Sequence, residues 1–144
     1  MSGDAALPPV PQGNYRPATR FGDFVFTSGM TPRVNGELQF TGTVRAAEPV
    51  ESWKEAVVLA CRNALTAALG MLQPNEHVAG VPSLTVFIVA EAGFIRHSRL
   101  ADFASDFLRA ELGECGIGSR AAVGVATLPG NAPVEIQLTL AAAR

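Results

Sequence analysis

Charge is scarce in this 144-residue sequence: 17% of residues are Asp, Glu, Lys or Arg, against 48% hydrophobic. A domain of this size usually carries about 25% charged residues, so part of its surface is expected to be covered in an oligomer. Lysine is almost missing, Lys54 being the only one, and 11 basic against 13 acidic residues leave a net charge of -2. The basic stripe of a nucleic-acid or anionic-membrane binder is therefore absent. The longest uncharged runs, 77–90 and 121–134, have 14 residues each, short of the roughly 18 that cross a bilayer. The two cysteines make no disulfide framework and are expected to be reduced: Cys61 falls in a helical pattern and Cys115 in a Gly-rich turn. His77 and His97 lack the i, i+4 spacing and the acidic or Cys partners of a metal site, so no metal is expected. The start, MSGDAALPPVPQG, has an acidic residue, several prolines and no apolar h-region. Residues 1–14 are expected to form an extended lead-in, not a signal peptide, residues 15–144 one domain, and the protein is expected to be cytoplasmic.

What is present reads as alternating strands and two helices. Phe24-Val25-Phe26-Thr27-Ser28 alternates, and Glu37-Leu38-Gln39-Phe40 follows Asn35-Gly36, a dipeptide that tolerates positive φ and signals a hairpin. These two segments are expected to pair. From Trp53 to Leu72, apolar residues recur at i, i+3, i+4, predicting a helix stopped by Gly70 or by Gln73-Pro74-Asn75. Leu84 to Ala90 is apolar on both alternations and is expected to be buried on both faces. Leu100, Phe103, Phe107, Leu108 and Leu112 predict a second helix, with Asp102 outward and Gly113 as its C-cap. Arg120 to Thr127 and Pro133 to Ala142 predict a closing hairpin across Pro129-Gly130-Asn131. The order is β-β-α-β-α-β-β, an α+β fold.

Two helices cover one face of such a sheet. Val123, Val125, Val134, Ile136, Leu138 and Leu140 are bulky and are assigned beneath the helices. The opposite alternations, Arg120, Ala122, Gly124 and Ala126 with Glu135, Gln137 and Thr139, are small and nearly neutral. That face is expected to pack against a second subunit, with Arg120 and Glu135 together at or near the interface.

Several stretches resemble one family: Gly13-Asn14-Tyr15-Arg16-Pro17-Ala18, Phe24-Val25-Phe26-Thr27-Ser28-Gly29, Leu84-Thr85-Val86-Phe87-Ile88, and Ser119-Arg120-Ala121-Ala122-Val123-Gly124-Val125-Ala126-Thr127-Leu128-Pro129 followed by Val134-Glu135-Ile136. They are similar to the RidA family, also called YjgF or endoribonuclease L-PSP, from about Tyr15 to the C-terminus. The resemblance implies a chorismate-mutase-like fold, a mixed sheet with two helices on one face, and a homotrimer with a central barrel and clefts between subunits. It also implies hydrolysis of reactive 2-imino acids to 2-oxo acids and ammonia, without metal or organic cofactor. Carried over by position, Arg120 would clamp the substrate carboxylate, Glu135 would handle the attacking water, and Tyr15, Ser28 and Gly29 would line the pocket. The sequence departs from the deaminase pattern at Gly118, Ala122 and Met30, where that pattern has Pro, Cys and Gln. Ser98 stands where an Asn is common, and the segment 113–119 is reshaped.

The residue chemistry suits that assignment. A guanidinium holds a carboxylate through two parallel N–H···O bonds, and an imine is already electrophilic, so orientation and one proton-transfer group suffice. The rival readings are structural: Arg120 as a strand-end ion pair, Glu135 as its salt-bridge partner, Tyr15 as an aromatic anchor. Cys115 has no adjacent base and is not expected to be a nucleophile, and Gly113, Gly116 and Gly118 follow a helix instead of opening one, the wrong context for a phosphate loop. Three functions are weighed: an imine deaminase or related small-carboxylate hydrolase, a non-catalytic trimeric binder of small carboxylates, and a ribonuclease, which the charge balance disfavours.

Overall fold

The computed structural model describes residues 8–144, so the first seven residues of the expected lead-in lie outside them. Residues 8–14 belong to no helix or strand, and the Gln12 N–H donates to the Tyr15 hydroxyl at 2.9 Å. The elements that follow are β1 (Ala18–Phe21), β2 (Phe24–Thr27), β3 (Arg33–Val34), β4 (Glu37–Leu38), α1 (Lys54–Leu69), β5 (His77–Val89), α2 (His97–Leu112), β6 (Ser119–Val125) and β7 (Val134–Ala143). Five strands form one mixed sheet in the order β1-β2-β7-β5-β6. Only β5 and β6 run parallel, joined by the crossover through α2.

Both helices pack on one face, α1 over β2 and β7 and α2 over β5 and β6. Val25, Val86, Ile88, Ile136, Leu138 and Leu140 rise from the sheet into a core closed by Leu65, Leu100 and Leu108. The face α1 turns inward is mostly alanine (Ala56, Ala60, Ala64, Ala68), which lets its axis approach the strands closely. Cys61 fills a gap in that stripe, and burial pushes its thiol up to about 12, so it stays an inert part of the core. The helix stops are those expected: α1 ends at Gly70, and α2 ends at Gly113, whose φ of 77° suits glycine and whose N–H returns to the Arg109 carbonyl. The reshaped stretch after it is a 3₁₀ turn, Gly113–Gly116.

Three expectations are corrected. First, β2 pairs with β1 across the Gly22-Asp23 turn, not with the segment after Asn35-Gly36. Asn35 and Gly36 do have positive φ, 53° and 81°, but their hairpin is the two-residue pair β3–β4, apart from the main sheet. Second, β6 and β7 are not a hairpin. Pro129–Asn131 is a 3₁₀ corner carrying the chain past the end of β5, where the Val89 N–H donates to the Pro133 carbonyl at 2.9 Å, so β7 inserts between β5 and β2.

Third, that insertion reverses the faces assigned to β6. Arg120, Ala122 and Gly124 are in register with Leu84, Val86 and Ile88, which oppose Leu138, Ile136 and Val134. Residues paired across strands share a face, so Arg120 lies on the helix side while Glu135 lies on the open side. Val123, expected under the helices, is 40% exposed on the open face. Nor is β5 buried on both sides: Thr85 and Phe87 are only half-buried, because no helix covers them. The open face carries phenylalanines that the sequence reading had not assigned to it, Phe24 and Phe26 with Phe21 at 75% exposure. Glu135 is the one charged residue of its paired strand positions.

Candidate functional site

Glu135 is forced onto the open face by its neighbours, since Val134 and Ile136 are buried beneath the helices. Its side chain folds against Gly29: a Cβ at Gly29 would lie 2.5 Å from Oε2 and 2.7 Å from Cδ. Burial pushes its carboxyl above the usual carboxylate range. Among the described residues no hydrogen bond or ion pair engages it. A half-buried carboxylate without a partner costs free energy that the fold does not recover, the state expected of a group reserved for chemistry or binding.

The segment after β2 brings Gly29 there. Met30 exchanges both backbone hydrogen bonds with Ile136, at 2.7 and 2.8 Å, extending the β2–β7 pairing beyond Ser28-Gly29. The Ser28 hydroxyl is engaged, donating to the Arg16 carbonyl at 2.6 Å, and the Ser28 N–H donates to the Pro17 carbonyl at 2.9 Å. Ser28 therefore anchors the strand that leads from Tyr15. Tyr15 and Gly29 line one cavity of about 290 Å³, between the N-terminal segment, the β3–β4 tip and α1.

Arg120 is elsewhere. It sits on the edge strand β6 with its guanidinium against α2: Nη1 donates to Asp102 Oδ1 at 2.8 Å and Ser105 Oγ at 2.9 Å, and Nη2 to Ser98 Oγ at 2.8 Å and the Ser98 carbonyl at 3.2 Å. A guanidinium has five N–H donors, so only Nε–H is left for a ligand. Its side chain is 20% exposed, beside a shallow depression shared with His97, Ser98 and Gly124. Gly124 makes room for His97, whose ring meets Phe94 edge-on at 4.9 Å. The sequence reading turned Asp102 outward and missed Ser105. Their spacing carried a signal, since Ser98, Asp102 and Ser105 stand at i, i+4, i+7 on one helix stripe.

One chain thus brings Glu135 to Gly29, and Gly29 to Tyr15, but holds Arg120 on the other sheet face and at the opposite edge from β1. Among the described residues, no three His, Cys, Asp or Glu side chains converge to hold a metal ion. No helix of the described residues is long and apolar enough to cross a membrane.

No family model matches the sequence. Protein TCP17 of Trypanosoma cruzi is 35% identical over 131 residues, spanning 83% of this chain and 79% of that protein. Among solved structures, the protein Atu1372 of Agrobacterium tumefaciens, described as of unknown function, is 33% identical with a TM-score of 0.79, over 89% of this chain and 81% of its own. A Shewanella oneidensis protein solved as a candidate endoribonuclease is 27% identical with a TM-score of 0.84, over 96% and 91%. The YjgF gene product of E. coli shares the fold at 19% identity, with a TM-score of 0.64 over 93% and 92%.

Proposed function

The chain belongs to the YjgF/RidA family, and from that premise we propose that it hydrolyses small 2-imino acids to 2-oxo acids and ammonia, in clefts between the copies of a homotrimer. The observation that carries this reading is Glu135: a half-buried carboxylate with a raised pKa and no partner among the described residues, resting on Gly29. A carboxylate whose pKa burial has raised is a stronger base than an exposed one, which suits it to proton transfer. Water would attack the C=N carbon while Glu135 takes its proton. That proton passes to the nitrogen to give the amino alcohol, and a second transfer through Glu135, from the new hydroxyl to the nitrogen, lets the C–N bond break as the C=O forms. The nitrogen leaves as ammonia and the carbon becomes the 2-oxo group. Tyr15, Ser28 and Gly29 would form the wall on the Glu135 side.

The open face supports the assembly. Exposed phenylalanines on the same face as Glu135 make an apolar patch of the kind that marks interfaces. Arg120 lies on the helix side of the edge strand β6, whereas Gly29 follows β2 and meets Glu135 on the open face, so a cleft using both needs two copies. A neighbour's Arg120 would then offer a ligand carboxylate its Nε–H, a single bond in place of the expected bidentate clamp. A ribonuclease gains little support, because the open face offers RNA a carboxylate and no cation.

The deciding experiment is ammonia release from 2-iminobutanoate generated in situ, run beside sedimentation. A homotrimer is expected, and Glu135→Gln should remain trimeric while losing about 10²-fold or more of the rate. Wild-type protein without imine hydrolysis, or Glu135→Gln with full activity, would remove the catalytic reading.

A further inference from the structure

Arg120 is left one donor short of a carboxylate. Its Nη groups are spent on Asp102, Ser105 and Ser98, so Nε–H can serve one oxygen and the other needs a donor from elsewhere. The residue before Ser98 is His97, and its ring lines the same depression as Arg120. A neutral imidazole carries one N–H and one bare nitrogen, and neither ring nitrogen has a hydrogen bond or ion pair among the described residues. The ring is nevertheless fixed. Buried Phe94 meets it edge-on at 4.9 Å, and a Cβ at Gly124 would lie 2.9 Å from Nε2 and 3.5 Å from Cδ2, with no other ring atom within 4 Å. Nε2 therefore points at the strand, in room that the missing Gly124 side chain leaves, and Nδ1, opposite that edge of the ring, points away from it. Arg96, the neighbouring cation in sequence, is turned aside, its Nη2 donating to the carbonyls of Ala46 and Glu48 at 3.0 and 2.6 Å. No Asp or Glu lines the depression to compete for the imidazole.

We propose that His97 is a second ligand anchor in the Arg120 half of the cleft, its ring N–H taking the carboxylate oxygen that the Arg120 Nε–H leaves. Two side chains with one donor each then replace the fork that a single unoccupied guanidinium would supply. Val123 also lines the depression although it lies on the open face, so the depression wraps the free edge of β6, where another copy can approach. Ile95, 85% exposed, forms its apolar rim. A ligand seated there keeps its carboxylate on the Arg120 and His97 of one chain and turns its C=N carbon toward the Glu135 of another. This role rests on the proposed reaction for the ligand's class, while its test reads binding alone.

The test titrates 2-oxobutanoate into the full-length protein by calorimetry, with sedimentation on the same samples. His97→Ala should weaken binding about tenfold or more, the usual loss for a hydrogen bond to a charged acceptor, with the assembly unchanged. His97→Asn, whose amide N–H falls near the place of Nδ1, should bind within about threefold of wild type. Butanone, which lacks the carboxylate, should bind weakly and equally to all three proteins. Wild-type affinity in His97→Ala, His97→Asn no better than His97→Ala, or a loss that tracks dissociation of the assembly would overturn the proposal. A wild-type protein that ignores 2-oxobutanoate would remove the small-carboxylate reading and this anchor together. His97-dependent binding with no ammonia release would leave the anchor standing and remove only the hydrolase.

Discussion

Gly29→Ala isolates the contact on which the proposed chemistry depends. The backbone at Gly29 does not have positive φ, so alanine can adopt it without strain. Its methyl group, however, would lie 2.5 Å from Glu135 Oε2, where ordinary contact begins at about 3.4 Å. Glu135 must therefore retreat by about 0.9 Å, the difference of those two distances. It can do so, because the clashing atoms are the far end of a side chain with three rotatable bonds; an off-rotamer turn costs about 0.5–1.5 kcal/mol. For a chain of this size that lowers Tm by no more than about 5 °C. The effect on rate should be far larger, since a misplacement of about 1 Å in a reacting group can cost about 10²-fold. Thermal unfolding and ammonia release on the same preparation separate the two. A folded Gly29→Ala protein with the wild-type kcat/KM would refute the positioning of Glu135 by Gly29. An unfolded one would refute the view that only a flexible carboxylate stands in the way.

Acid should loosen the corner where β1 meets the end of α1. Arg20 grips Glu76 through two bonds of 2.6 and 2.7 Å, which together with the Gln73 N–H hold the Glu76 carboxyl down at about 2 against an ordinary 4.5. A depressed folded pKa adds stability that is present above the unfolded value and lost as pH falls through the folded one. Glu76→Gln should therefore flatten the stability profile between about pH 4.5 and 2, measured by urea unfolding at each pH; a wild-type slope in the variant would contradict it. Gly118→Ala should behave unlike Gly29→Ala, because its methyl group would fall inside the Val81 carbonyl oxygen, which is backbone and cannot swing away. A loss of about 3 kcal/mol is expected in denaturant unfolding, and near-wild-type stability would show that the β5 irregularity around Gly80–Ser83 can shift.

Local order was determined by the sequence itself. The 3.6-residue recurrence of Ala56, Ala60, Ala64 and Ala68, the φ freedom of Gly113, and the alternation of Val134, Ile136, Leu138 and Leu140 each depend on neighbours a few positions away. For that reason α1, α2 and β7 were legible, and so was the outward aim of Glu135 from its own strand. The motif around Arg120 and Glu135 likewise sufficed for the family. Tertiary structure decided which strands meet. Turn signals at Asn35-Gly36 and Pro129-Gly130-Asn131 specify a reversal of the chain but not its partner, and β7 entered between β2 and β5, where its apolar alternation is buried beneath α1. Because side chains alternate with a period of two, the parallel register of β6 on β5 then sent Arg120 to the helix side, into the acceptors of Ser98, Asp102 and Ser105. No pattern within β6 could distinguish that face from the other: Arg120, Ala122 and Gly124 are small or polar enough for open solvent, and only the strand beside them settles which way they point.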